Sequence, residues 1–323
     1  MIGGTVLGEG KRGLRKNTYT CPSRQPVLKG PPPSFPMKRI LFVFSFLFVL
    51  AASLLAEDPT DIRIQREVSY LGADRTEQAD LYLPLEIPKG QRVPAVVIIH
   101  GGGFTGGHRD AARELNIGST LARNGYIGMS IDYALADISR PTWPQNLFDC
   151  KTAVRWLRAN ADRLQIDPDH IGVIGGSAGG TLASLVTLTK SNDGLNPQSP
   201  YGNLSCEVQC GVDMYGIASM AEWHDSVMFG KTSEEAPELY KQASPITYVR
   251  ADSPPMLILH GTADKTVNVS QSEKFAETFK AVGATYQLEI IPDAPHTFSL
   301  QPKERDLRPV VLAFFDKYLK PGK

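Results

Sequence analysis

This sequence of 323 residues has no basic stripe after its first 56 residues, no set of residues that indicates a metal site, and no internal repeat. Residues 1–56 hold eight of the 34 basic side chains and one of the 34 acidic ones, so the remaining chain has a formal net charge of −7. Nucleic acid is therefore not expected as a partner, because no basic stripe remains to neutralise phosphates. No set of His, Cys, Asp and Glu residues indicates a metal site, and no cofactor is expected.

Cysteine is scarce, with four residues in the whole chain. Cys21 precedes the folded region, and Cys150 falls on the apolar face of a predicted helix, where it is expected to be a buried small hydrophobe. Cys206 and Cys210 could form a disulfide in an oxidising compartment, but their spacing within a predicted loop and strand leaves this open.

Residues 37–56 have the three parts of a signal peptide. A basic start at Met37 is followed by the apolar run 40–50 and by small residues up to Ala56, the expected cleavage site. Met37 is then the expected start of the natural protein, and residues 1–36 are expected to be a non-native or unstructured extension.

A membrane anchor is the alternative interpretation of the same stretch. Residues 40–56 would form a helix of about 25 Å against roughly 30 Å of hydrocarbon, with no basic stop on the C-terminal side. Export to the periplasm or the extracellular space is therefore the favoured expectation, with no stable membrane span after cleavage. Residues 57–323 are expected to form a single domain, whose oligomeric state the sequence leaves open.

Strands and helices alternate along that domain, which predicts an α/β fold with a mostly parallel central sheet and helices on both faces. Alternating apolar and polar residues over 61–70 and 78–83 predict an initial antiparallel pair, and the apolar run 92–100 is typical of a doubly covered parallel strand. The other predicted strands are 126–131, 171–174, 208–214, 256–260 and 286–291, and the predicted helices are 111–124, 145–161, 181–188, 270–282 and 307–319.

Two further features belong to this pattern. In the predicted helix 145–161 the apolar residues share one face, and Lys151, Arg155 and Arg158 lie on the other faces. Residues 216–244 interrupt the alternation and are predicted to form a small insertion over the C-terminal edge of the sheet, before the strand 256–260.

The segment Gly175-Gly-Ser-Ala-Gly179 carries the chemistry that organises the chain. It matches G-x-S-x-G, lies between a predicted strand and a predicted helix, and places Ser177 at the turn. Small residues on either side of such a serine let a strained turn close. The helix after the turn directs free amides toward the serine, so the amide of Ala178 is a candidate donor to a developing oxyanion.

A second glycine-rich segment, His100-Gly-Gly-Gly-Phe104, follows the predicted strand 92–100. Three glycines let backbone N–H groups turn toward a bound anion without obstruction by side chains. Together with a downstream G-x-S-x-G turn, this segment predicts an oxyanion loop that contributes the amides of Gly102 and Gly103.

A nucleophilic serine needs a base and a carboxylate that orients the base. Of the six histidines, His296 follows the last predicted strand, where a loop can reach the serine. Asp264 follows the strand 256–260, at the sheet edge where α/β folds carry their chemistry, and is the favoured acid. Asp293 is the alternative, although its closeness to His296 in one loop leaves little freedom to orient the imidazole. The other histidines are assigned to strand ends or loops: His100, His108, His170, His224 and His260.

The order Ser177, Asp264, His296, taken with the two glycine-rich segments, resembles the α/β-hydrolase superfamily. Within it, the chain is similar to bacterial carboxylesterases akin to the feruloyl and acetylxylan esterases, neighbours of the hormone-sensitive-lipase group. That group usually has a helical N-terminal cap, where this chain has predicted strands.

The resemblance implies hydrolysis of carboxylic esters through an acyl-enzyme on Ser177, with acylated polysaccharides or related small esters as substrates. Trp143 and Trp223 lie near loops where a sugar ring could stack, although core packing is the more frequent role of such residues. A peptidase of the prolyl-oligopeptidase kind is an alternative, but the short stretch after the signal leaves no room for its propeller. A non-catalytic binding protein on the same fold is disfavoured, because every triad position is filled.

Overall fold

An eight-stranded sheet organises residues 59–320, the part of the chain that the computed structural model describes. Its strand order is β1-β2-β4-β3-β5-β6-β7-β8; β1 pairs with β2 and β2 with β4 antiparallel, and all later pairs are parallel. The strands are β1 (Arg63–Ser69), β2 (Gln78–Leu83), β3 (Val93–Ile99), β4 (Ile127–Ile131), β5 (Ile166–Gly176), β6 (Cys210–Met214), β7 (Met256–Gly261) and β8 (Tyr286–Ile291).

Helices cover both faces of the sheet, as the strand side chains require. On β3, Val97 and Ile99 point into a core shared with α2 and α4 on one face, and Val96 and Ile98 into a core shared with α1 and α7 on the other. The helices are α1 (Ala112–Arg123), α2 (Gln145–Ala159), α3 (Ala161–Leu164), α4 (Ala178–Leu188), α5 (Pro237–Gln242), α6 (Ser270–Val282) and α7 (Arg308–Leu319). The predicted fold class and the antiparallel initial pair are confirmed.

The segment around the G-x-S-x-G turn departs from the prediction. Helix α4 begins at Ala178, directly after the serine, and not at residue 181. Glycines at 179 and 180 are weak helix formers, so the sequence pattern misses a first turn that the packing of the elbow imposes. Strand β5 likewise begins at Ile166, five residues before the predicted start.

Helix α2 is buried on more faces than its pattern suggests. Lys151 and Arg155 were expected on faces other than the apolar one, yet both are buried. Lys151 Nζ donates to Asn196 Oδ1 at 2.6 Å, and Arg155 Nη1 donates to the Pro197 carbonyl at 2.6 Å. The segment after α4 therefore covers these side chains, and burial lowers the pKa of Lys151 to about 8.

The insertion before β7 consists of short turns and α5. One 3₁₀ turn, Met220–Glu222, is tied to α6 by an ion pair between Glu222 and Lys274. A second 3₁₀ turn, Val227–Phe229, is held to the segment before α2, because the carbonyl of Met228 accepts the amide of Thr142 at 2.9 Å. The insertion therefore has a defined position beside the carboxyl ends of the strands.

Three cysteines lie in the described region, and Cys150, Cys206 and Cys210 all carry free, buried thiols. In residues 59–320 no helix has the length and apolar character needed to cross a bilayer, and no group of three or more His, Cys, Asp or Glu side chains could hold a metal ion. The predicted signal peptide at 37–56, the extension 1–36 and Cys21 lie outside the described residues.

Candidate active site

Ser177 occupies a strained turn between β5 and α4. Its backbone has φ +57° and ψ −125°, a combination that non-glycine residues rarely adopt. Its amide donates to the Met214 carbonyl at 2.9 Å. A Cβ at Gly175 would lie 2.2 Å from the Gly179 carbonyl oxygen, and a Cβ at Gly179 would lie 2.1 Å from the Ile99 carbonyl oxygen. Glycine is therefore required at both positions for the turn to hold the serine in place.

Three loops from the carboxyl ends of β5, β7 and β8 bring the predicted hydroxyl, carboxylate and imidazole together. His296 Nδ1 lies 2.6 Å from Asp264 Oδ2, and His296 Nε2 lies 2.9 Å from Ser177 Oγ. A carboxylate only accepts, so Nδ1 carries the imidazole proton and Nε2 accepts from the serine hydroxyl. The arrangement can transfer a proton from Ser177 to His296 while Asp264 stabilises the resulting imidazolium.

Asp264 is held in a fixed orientation. Its side chain is fully buried, and its Oδ1 accepts the amides of Thr266 and Val267 at 2.8 and 2.9 Å. The alternative acid, Asp293, is exposed, and within residues 59–320 its carboxylate has no hydrogen bond to His296. The geometry therefore favours Asp264 over Asp293 as the partner of the imidazole.

The loop after β3 brings its glycines to the same place. Gly102 and Gly103 adopt φ +119° and +62°, and the Gly102 carbonyl accepts the amides of Thr105 and Gly106 at 3.1 and 3.0 Å. Among the described residues, no acceptor takes the amides of Gly102, Gly103 or Ala178. The loop and the first residue of α4 thus present three free N–H groups around one cleft, as an oxyanion site requires.

That cleft has a volume of about 320 Å³. Trp223 and His224 of the insertion form one wall, with their rings 4.4 Å apart, whereas Trp143 does not line the cleft. Trp143 instead packs edge-on against Phe229 and donates its indole N–H to Gln242. The residues lining the cleft are Gly102, Gly103, Phe104, Arg113, Ser177, Ala178, Ile217, Trp223, His224, Ser226, Thr266, Val267, His296 and Thr297.

Two supporting residues were not identified from the sequence. Tyr215 follows β6; its hydroxyl donates to the Phe298 carbonyl at 2.6 Å, and its ring stands edge-on to His296 with centroids 4.9 Å apart. Arg113, in the first turn of α1, donates to the Tyr215 hydroxyl at 3.1 Å and pairs with the buried Glu114. The sequence shows only that both residues lie beside strand or helix ends. Their support of the site depends on contacts between segments about 100 residues apart, which local patterns do not reveal.

The oxyanion loop gives a prediction with a matched control. A Cβ at Gly102 would lie 2.1 Å from the Gly106 carbonyl oxygen, on a backbone at φ +119°, so Gly102→Ala must displace the loop. We expect kcat for aryl esters to fall about 100- to 1000-fold, as when one oxyanion donor is lost. Gly106→Ala is the control, because its Cβ has its nearest neighbour at 3.9 Å. Equal kcat values for the two variants would contradict the assignment of the loop.

Comparisons with known proteins find esterases among the proteins that this chain resembles. Residues 79–279 match the family model BD-FAE. Esterase LipC of Mycobacterium tuberculosis is 32% identical over 249 residues, which make up 73% of this chain and 60% of LipC. Esterase LipQ of the same organism is 32% identical over 246 residues, 72% of this chain and 57% of LipQ. The chain thus spans less than two thirds of the length of these curated relatives.

Solved structures are similar over more of the chain. A truncated form of a carbohydrate esterase from gut microbiota has a TM-score of 0.73 at 26% identity, covering 82% of this chain and 99% of the other. Native esterase 2 of Thermogutta terrifontis has a TM-score of 0.67 at 25% identity, covering 81% of this chain and 95% of the other.

Proposed function

This chain belongs to the BD-FAE family, within the α/β-hydrolase carboxylesterase group, and from that membership we propose that it is a serine carboxylesterase acting through an acyl-enzyme. The observation that carries the proposal is the hydrogen-bonded path from Ser177 through His296 to Asp264, beside three free amides. A hydroxyl, an imidazole and a buried carboxylate in this order form the machinery of acyl transfer.

The proposed reaction has two halves. Ser177 Oγ bonds to the ester carbonyl carbon while His296 Nε2 takes the hydroxyl proton, and the negative charge moves to the carbonyl oxygen. The amides of Gly102, Gly103 and Ala178 stabilise that oxyanion. The bond to the leaving oxygen then breaks as His296 returns the proton to it, which releases the alcohol. Water repeats the sequence on the acyl-enzyme, releases the acid and restores the serine.

A substrate panel tests the reaction class. Aryl esters of increasing acyl length, peptide amides and acetylated xylan would be assayed with the purified protein. The proposal expects turnover of esters and none of peptide amides. Preferred cleavage of peptide amides would favour the peptidase alternative, and no turnover of any substrate would favour a binding protein.

We further propose that the natural substrates are acylated polysaccharides. Two observations support this: the half-buried Trp223 stands on the wall of the cleft beside Ser177, and a structurally similar protein is a carbohydrate esterase. An indole face at that position can stack on a sugar ring while the ester reaches the serine.

Replacing Trp223 by alanine tests the sugar contact. We expect KM for acetylated xylan to rise about fivefold, since a stacked aromatic contributes on the order of 1 kcal/mol, while turnover of p-nitrophenyl acetate changes little. Trp143→Ala is the matched control, because that indole lies outside the cleft. An unchanged KM of Trp223→Ala for acetylated xylan would show that the sugar does not stack on Trp223.

We also propose that the protein is exported, on the basis of the signal-like residues 37–56 and the net charge of −7 that follows them. Cell fractionation and N-terminal sequencing of the natural product test this. The expected result is a periplasmic or extracellular protein that begins near Glu57. A natural product that begins near Met1 and stays in the cytoplasm would contradict it.

A further inference from the structure

The carboxylate of Asp264 lies between two imidazoles. Its Oδ2 is 2.6 Å from His296 Nδ1 and 3.2 Å from Nε2 of His260, which belongs to β7. His296 faces the cleft, whereas the side chain of His260 is fully buried behind the carboxylate. His260 also has a serine partner, because its Nδ1 lies 2.7 Å from Ser272 Oγ of α6. A second serine–histidine pair therefore stands behind the first, on the same carboxylate oxygen.

The contacts of His260 fix where its proton lies. Nε2 is 2.9 Å from the Val267 carbonyl oxygen, which only accepts, so Nε2 carries the hydrogen and Nδ1 accepts from the Ser272 hydroxyl. Burial lowers the pKa of His260, which favours the neutral ring. The Nε2–H group thus donates to the Val267 carbonyl and lies 3.2 Å from Asp264 Oδ2, close enough to stabilise the negative charge there.

Both carboxylate oxygens of Asp264 therefore have close polar neighbours on two sides. Oδ1 accepts the amides of Thr266 and Val267, and Oδ2 lies within 3.2 Å of both imidazoles. His260 also contacts the Val267 carbonyl, so one side chain fixes both the acid and the loop that holds it. Groups bonded from two sides keep their orientation at little entropic cost when the reaction occurs.

We propose that His260, oriented by Ser272, is a positioning residue that holds the carboxylate of Asp264 toward His296 and moderates its charge. The proposal rests on the proposed esterase function, since it acts through Asp264 and His296 on Ser177. His260 touches neither the cleft nor a reacting atom, so it is not a catalytic residue.

Removing the Nε2–H group of His260 should change the pH dependence of the enzyme in a defined direction. Among the described residues, the titratable groups that act on His260 are Asp264 and His296. His296 in turn faces Asp264, His260 and Tyr215, and the charged Arg113 is bonded to Tyr215 in the same cleft. Loss of the Nε2–H donor leaves more negative charge on Asp264 Oδ2, which favours the imidazolium form of His296. The acid limb of the kcat/KM profile then moves to higher pH, because the free enzyme needs a neutral His296 to accept the serine proton.

The test compares two substitutions at one position. His260→Leu keeps apolar bulk and removes the donor, whereas His260→Gln places an amide N–H near the position of Nε2. Active sites are counted by stoichiometric labelling with a fluorophosphonate, so that kcat is expressed per active site. For His260→Leu we expect kcat per site on p-nitrophenyl acetate to fall about 10- to 100-fold, the value of a hydrogen bond to a charged group, with KM unchanged and the acid limb raised.

His260→Gln is expected to recover most of that loss. The proposal is overturned if His260→Leu keeps the wild-type kcat per site and pH profile, or if His260→Gln is as impaired as His260→Leu. A merely structural role would lower the number of active sites and the melting temperature without moving the pH profile. Should His260→Leu fail to fold, Ser272→Ala serves instead: it keeps the imidazole, and unchanged kcat per site and pH profile would equally overturn the proposal. Absence of ester turnover in the wild-type protein would instead overturn the proposed function.

Discussion

Replacement of Ser177 by alanine is expected to lower kcat for p-nitrophenyl acetate about 10⁶-fold, the loss seen when a triad nucleophile is removed. Without Oγ there is no atom to form the acyl-enzyme, and His296 has no hydroxyl proton to accept. The residual rate reflects only the oxyanion amides and binding, roughly 10³- to 10⁴-fold above water. Initial rates over a wide range of enzyme concentration measure the effect.

The Ser177→Ala substitution should leave the stability of the protein unchanged. The hydroxyl of Ser177 bonds to His296 alone among the described residues, so the melting temperature of the variant should match the wild type. Ser226→Ala is the matched control, since Ser226 lines the same cleft but, among the described residues, makes no hydrogen bond to His296. Retention of more than about 1% of wild-type kcat by Ser177→Ala would remove Ser177 from its proposed role.

Replacement of Asp264 by asparagine is the second large effect, with an expected fall in kcat of about 10⁴-fold. An amide in place of the carboxylate can turn its NH₂ toward His296 Nδ1, which then holds the imidazole in the tautomer that cannot accept the serine proton. Binding contacts in the cleft remain, so KM should change far less than kcat.

Asp293→Asn decides between the two candidate acids. Asp293 is exposed at φ +60°, a conformation that asparagine adopts readily, so this variant should keep wild-type kcat and stability. If Asp293→Asn lost activity and Asp264→Asn did not, the assignment of the acid would be reversed.

Local patterns were enough to predict the elements that carry the site. Helix α6 and strand β8 have the bounds that periodicity gave, and Ser177, Asp264 and His296 each follow the end of a predicted strand. Parallel strands end at one edge of a sheet, so three loops far apart in sequence meet there without further information. The sequence alone therefore predicts that these three residues lie at one site.

The same local patterns could not predict contacts between segments that are distant in the sequence. Lys151 and Arg155 have the charge of surface residues, and only the position of residues 196 and 197 buries them. His260 lies on a strand like any core histidine, and its 3.2 Å contact with Asp264 depends on how the loop after β7 turns. The start of α4 was missed because its glycines are selected for close approach and not for helix propensity.

Covalent labelling tests directly whether Ser177 is the nucleophile. The wild-type protein would be incubated with an aryl alkylphosphonate, which leaves a stable phosphonyl group on an activated serine, and then digested for mass spectrometry. We expect a single adduct on Ser177, absent from Ser177→Ala and formed far more slowly in His296→Ala. Ester hydrolysis that continues while Ser177 stays unlabelled, or that stops when another residue carries the adduct, would contradict the role of Ser177 as nucleophile.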